Sequence, residues 1–142
     1  DERHPWPVSS FQVPATPVRR GDPDFCDRGV FGPHSPQASH NPLYEGRLLF
    51  LAYFTGGVRV IDMRDPFAPV EVGHFIARAT ANSRVIWPPN PPPDAVAWPV
   101  ANTVEVDERG TYLYMADRPH NGLFVLALAG KAREIASAAA AR

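Results

Sequence analysis

This sequence is short of the groups that make a chain's chemistry easy to read. Cys26 is the one cysteine among 142 residues, so no intrachain disulfide forms and thiol usage assigns no redox compartment. Basic and acidic residues nearly balance, 14 against 15, for a net charge of −1. That balance removes the electrostatic case for a nucleic-acid or anionic-membrane partner. The basic residues are nearly all arginine, which reads as genomic bias. No apolar run is long enough to span a bilayer, and the start carries no signal-peptide pattern. A chain beginning at Asp1 without methionine is expected to be processed or partial. Also missing are a Gly-rich phosphate loop, a Gly-x-Ser-x-Gly elbow and zinc-finger spacing.

Proline is abundant instead, at 17 of 142 residues. The usual share is about 5%, so many turns and irregular loops are expected and a helical bundle is not. The most ordered stretch is Leu48–Phe75. Its first part, Leu48 to Phe54, is an unbroken apolar and aromatic run suited to a buried strand. Gly56-Gly57 supplies residues that accept positive φ, and a two-residue hairpin turn is predicted there. Val58, Val60 and Asp62 then point one way, Arg59, Ile61 and Met63 the other. Arg64-Asp65-Pro66 ends that strand, since proline removes a ladder donor. Pro69 to Phe75 completes a three-stranded meander.

A second, weaker copy follows. Leu113-Tyr114-Met115-Ala116 matches Leu49-Phe50-Leu51-Ala52, and Gly122-Leu123-Phe124-Val125-Leu126 matches Gly57-Val58-Arg59-Val60-Ile61. The Pro-rich stretch between the copies accounts for a spacing beyond the ~40–50 residues of a propeller blade. Val58-Arg59-Val60-Ile61-Asp62, framed by Gly57 and by Asp65-Pro66 and Pro69, resembles the LVIVD repeat of bacterial β-propellers. Phe25 to Gly29 and Phe31 to His34 also resemble stretches in the last blades of some members. The resemblance covers Trp6 to Leu128, although the second copy has Ala127 where the repeat's aspartate would stand. It implies an all-β fold of antiparallel meanders, forming the C-terminal one to two blades of a β-propeller with long Pro-rich loops. It implies little chemistry, because propellers host many functions. A periplasmic or extracellular setting is implied too, with no export signal in the sequence to support it.

On this reading the chain divides into an extended N-terminal segment, a blade region and a tail. Residues 1–23 hold a short strand at Val8–Val13 and a loop from Pro14 to Pro23. Residues 24–130 form the blade region, with a Pro-rich insertion at 87–99. Within it, Asp24 to Asn41 is too rich in glycine and proline for a strand and is expected to be a long loop packed on the domain. Strands are expected at Val100–Val106, Thr111–Ala116 and Leu123–Leu128, with a turn at Asp107–Gly110. Residues 131–142 form an Ala-rich tail too short for a stable lone helix. A closed propeller needs at least about four blades of four strands, so this chain is expected to be completed by another chain or an N-terminal portion.

Candidate binding residues are His34, His40, Arg118 and His120 in loops, and Trp87 and Trp98 flanking the polyproline stretch. The tryptophans either pack on the domain edge or form an exposed ridge for a partner. Cys26 reads as a buried filler, since no local base would activate it. The leading functional reading is a non-enzymatic module that binds another polypeptide, with no cofactor. The alternative is a metal-dependent propeller enzyme, an oxidase or hydrolase, in which His34, His40 and His120 converge on a transition metal.

Overall fold

Side chains alternate along an extended chain, so Leu48–Phe54 must put Leu48, Phe50 and Ala52 on one face and Leu49, Leu51 and Tyr53 on the other. In the computed structural model this segment is strand β2, and seven strands form one antiparallel sheet around it. The structure describes residues 3–13, 23–37, 40–86 and 88–140. The expected loop at 14–22 and Trp87 lie outside them. A first unit comprises β1 (Phe31–Pro36), β2 (Leu48–Phe54), β3 (Val58–Asp62) and β4 (Val70–Phe75). A second comprises β5 (Ala101–Val106), β6 (Leu113–Asp117) and β7 (Leu123–Leu126), followed by helix α1 (Gly130–Ala140). Strand order is β4-β3-β2-β5-β6-β7, with β1 also on β2. A single bridge, Phe54 to Ala101, joins the two units.

The sheet curls into a half-barrel. Its end strands approach each other, and Phe75 of β4 lies 5.6 Å from Phe124 of β7. Between the units Leu48, Phe50, Ala52, Val58 and Val60 meet Val104, Val106, Leu113 and Met115 in one apolar core. Each large side chain fully buried there contributes about 1.5–3 kcal/mol.

The repetition seen in the sequence extends to the hydrogen-bonded register. In the first hairpin Leu49 faces Ile61, Phe50 faces Val60, Leu51 faces Arg59 and Ala52 faces Val58. Adding 64 to the first member and 65 to the second gives Leu113–Leu126, Tyr114–Val125, Met115–Phe124 and Ala116–Leu123, which are the pairs of the second hairpin. The preceding strands agree as well. Ser35–Ala52 and Pro36–Leu51 correspond to Thr103–Ala116 and Val104–Met115, and a register irregularity precedes both sets. The extra residue lies in the second turn. Tyr53 N–H donates to Gly57 O across the first turn, and Asp117 N–H to Gly122 O across the second.

Equivalent register does not mean equivalent burial. The first unit turns Phe50 and Ala52 into the core, whereas the second turns in Leu113 and Met115, which align with Leu49 and Leu51. The two units therefore meet through opposite faces of the same pattern.

Four local expectations are corrected. The first hairpin loop is Thr55-Gly56-Gly57, three residues and not two, and only Gly57 of the glycine pair has positive φ. Asp24 to Asn41 is not loop throughout. It contains a 3₁₀ turn, Phe25–Arg28, and the strand β1, whose Pro33 falls within the register irregularity where no ladder donor is required. Val8–Val13 forms no strand, and only Val13 of that stretch is buried. The Ala-rich segment is not a loose tail, because Ala132 and Ile135 of α1 enter the core and give a short helix the tertiary contacts it needs.

The two turn glycines make a matched comparison. Gly57 has φ +76°, and a Cβ there would stand 2.1 Å from Phe75 O; Gly122 has φ +88° with open space around it. Gly57→Ala is expected to destabilise by about 3 kcal/mol or more, from strain plus a backbone clash. Gly122→Ala should cost only the conformational term, about 1–2 kcal/mol. Urea denaturation of both variants checks the difference.

Candidate functional site

Three regions carry side chains beyond those the core needs. The first is the outer face of the first unit, where Leu49, Leu51, Tyr53, Arg59 and Ile61 project away from the core. The N-terminal residues cover it. Phe25 stacks on Phe31 at 5.2 Å, and Phe31 meets Tyr53 edge-on at 5.0 Å. Arg28 lies against Phe25 at 4.8 Å and against Trp98 at 4.4 Å. Thr55 Oγ1 donates to Val30 O at 2.9 Å and ties the covering segment to the first hairpin loop.

Arg59 sits beneath this cover and is only 2% exposed. Its Nη1 reaches Glu71 Oε1 at 3.3 Å, and His74 Nδ1 meets the same oxygen at 2.9 Å. Burial holds the Arg59 guanidinium below its ordinary pKa, while Glu71 opposes that shift. Among the described residues Nε and Nη2 have no hydrogen-bond partner, and the guanidinium lies 5.5 Å from the centre of the Phe25 ring.

The outer face of the second unit is the counterpart and is not covered by any described residue. Leu123 is 62% and Val125 58% exposed, Tyr112 is exposed and Tyr114 half-buried. The register of β6 with β7 places Leu123 and Val125 beside Ala116 and Tyr114, on the side opposite Met115.

The third region is a cavity of ≈ 550 Å³ at the open end of the β2–β3 hairpin. Met63 N–H donates to Arg47 O at 2.8 Å and carries the hairpin ladder one step past the strands. This brings Arg47 and Arg64 to the cavity with Gln37, His40, Asn41 and Tyr44. Arg64 closes on Asp62, Nη2 to Oδ2 at 2.7 Å, and those hydrogen bonds hold the Asp62 carboxyl below the usual carboxylate range. Tyr44 donates its hydroxyl to Gly110 O, and burial followed by the charge of Asp107 raises its phenol.

The residues singled out in the sequence fall into separate surroundings. His34 Nδ1–H donates to Asn102 O at 2.6 Å, and its ring lies 4.5 Å from that of Phe54. Phe54 also lines a ≈ 330 Å³ cavity with Val30, Ile86, Val100 and Arg118, a lining that does not include His34. His40 stands in the larger cavity, 3.6 Å from Glu45. His120 is exposed in the β6–β7 turn with φ +70°. Among the described residues no group of three His, Cys, Asp or Glu is placed to hold a metal. Trp98 is half-buried, with Arg28 over its ring. Cys26 is exposed, which corrects its reading as a buried filler. No described helix is long and apolar enough to cross a membrane.

Sequence reasoning missed Arg47, Arg64 and Gln37. The hairpin register held the signal, because paired residues from Leu48–Asp62 to Ala52–Val58 sum to 110 and the next pair outward is Arg47–Met63. Comparison with protein-family models, curated proteins and solved structures finds no match.

Tyr44 gives the cavity wall a pH signature. Its raised folded-state pKa means that its contribution is complete below the unfolded value of about 10 and is lost as pH rises through the folded value. Tyr44→Phe should lower stability at neutral pH by about 1 kcal/mol, the worth of one hydrogen bond. It should also remove this part of the alkaline loss. Urea midpoints measured from pH 8 to beyond the tyrosine range check both effects.

Proposed function

We propose that this chain is a piece of an LVIVD-like β-propeller, a non-enzymatic module that binds a further unit of the same repeat on another polypeptide. The observation that carries this reading is the mapping of one face onto another. Leu48, Phe50, Ala52, Val58 and Val60 are the residues with which the first unit grips the second. By the shared register they align with Tyr112, Tyr114, Ala116, Leu123 and Val125, which make up the outer face that no described residue covers. A face that is apolar, exposed and equivalent to one already used for unit-to-unit packing is suited to a third unit. Front-to-back stacking of meanders is also how propeller blades pack.

A second copy of this chain would have to offer the outer face of its own first unit. Phe25, Phe31 and Arg28 already occupy that face. The fitting partner is therefore a different polypeptide segment. It would present an apolar meander face like that of Leu113, Met115, Phe124 and Leu126.

A photo-reactive phenylalanine at Leu123, introduced in the source cell, tests the proposal. Cross-links are expected to a β-meander segment of a partner, and native mass spectrometry should give a complex heavier than the 15.6 kDa chain. Leu123→Glu with Val125→Glu should abolish the complex while leaving the melting temperature of the chain unchanged within a few degrees, since both positions are exposed. A monomer without cross-links, or cross-links to another copy of this chain, would overturn the proposal.

A further inference from the structure

We infer that the cavity at the open end of the β2–β3 hairpin is a binding site for a small organic carboxylate. The inference rests on a count of donors and acceptors around that cavity, independent of the assembly surface. Its acceptors are largely committed. Gln37 Oε1 accepts from Phe50 N–H at 2.7 Å, and Asn41 Oδ1 accepts from Leu43 N–H at 3.0 Å. Asp62 Oδ1 and Oδ2 accept from Arg64 Nε and Nη2. Asn41 Nδ2 is used on Asp107 O and Glu108 O, and the Tyr44 hydroxyl on Gly110 O.

What remains is a set of donors. The Arg47 guanidinium is half-buried and has no side-chain partner among the described residues. Gln37 is anchored through its oxygen, and its Nε2 has no partner among the described residues. Arg64 spends Nε and Nη2 on Asp62 and keeps Nη1. A guanidinium fork presents paired N–H groups that match the two oxygens of a carboxylate. Leu48, Leu49 and Met63 supply apolar lining for the body of the ligand. Donors beside an apolar floor are the usual make-up of a small-molecule site.

Glu45 is the opposing charge on this rim. It pairs with His40 at 3.6 Å, and its side chain is 69% exposed, so solvent screens it more than Arg47. It should weaken carboxylate binding without preventing it, and Glu45→Gln should strengthen binding.

The test titrates the folded chain with 4-phenylbutyrate and, in parallel, with 4-phenylbutylamine, following backbone amide resonances. The carboxylate is expected to shift Gln37, Arg47, Leu48 and Met63 saturably. Arg47→Ala should weaken binding at least tenfold, Arg47→Gln should do the same, and Glu45→Gln should tighten it about two- to threefold, each with an unchanged fold spectrum. The amine should leave these resonances in place. Equal binding of amine and carboxylate, shifts elsewhere, or unchanged affinity in the folded Arg47 variants would overturn the assignment.

Discussion

Strand β2 takes part in three ladders, with β1, β3 and β5, and the remaining architecture follows from that constraint. Its pairing with β3 is regular over five residues, while its pairing with β5 is confined to Phe54 and Ala101. A sheet joined at one bridge is free to bend there, and it bends until the two units close on a common core. Phe50 and Ala52 of β2 are fully buried in that core. Helix α1 joins the core through Ala132 and Ile135, with Ala132 beside Gly73 of β4.

The alternating faces of β2 divide the molecule's remaining surface. The inward face is satisfied by the second unit. On the outward side Arg59 of β3 stands beside Leu51 of β2, a charge that would be costly to bury alone; Glu71, the Phe25 ring and the covering segment make it tolerable. That cover closes one side of the first unit. Among the described residues the second unit has no such cover, and the equivalent of the inward face of β2 leaves Leu123 and Val125 exposed on β7. Closure on one side and exposure on the other give the chain a direction.

Much of this order was legible in the sequence because it depends on local patterns. The Leu48–Phe75 meander and the offsets of 64 and 65 needed only alternation and turn glycines, and the register follows them pair by pair. Strand β1 was hidden because Gly32, Pro33 and Pro36 argue against a strand; an irregular pairing tolerates them in a way that a regular ladder would not. Helix α1 was hidden for the opposite reason, since its propensity was visible but the core contacts of Ala132 and Ile135 are tertiary. Histidines and tryptophans drew notice by residue type, yet His34, His40 and His120 occupy three separate settings. Arg47 drew none, because its place at the cavity is set by its position one step beyond a strand.

The two units meet through opposite faces of one repeated pattern. Side-chain nuclear Overhauser contacts of Met115 and Tyr114 test it directly. The Met115 methyl is expected to contact side chains of the first unit, from the set Leu48, Phe50, Ala52, Val58 and Val60, and the Tyr114 ring none of them. A Tyr114 ring lodged among those residues, with Met115 facing solvent, would contradict it.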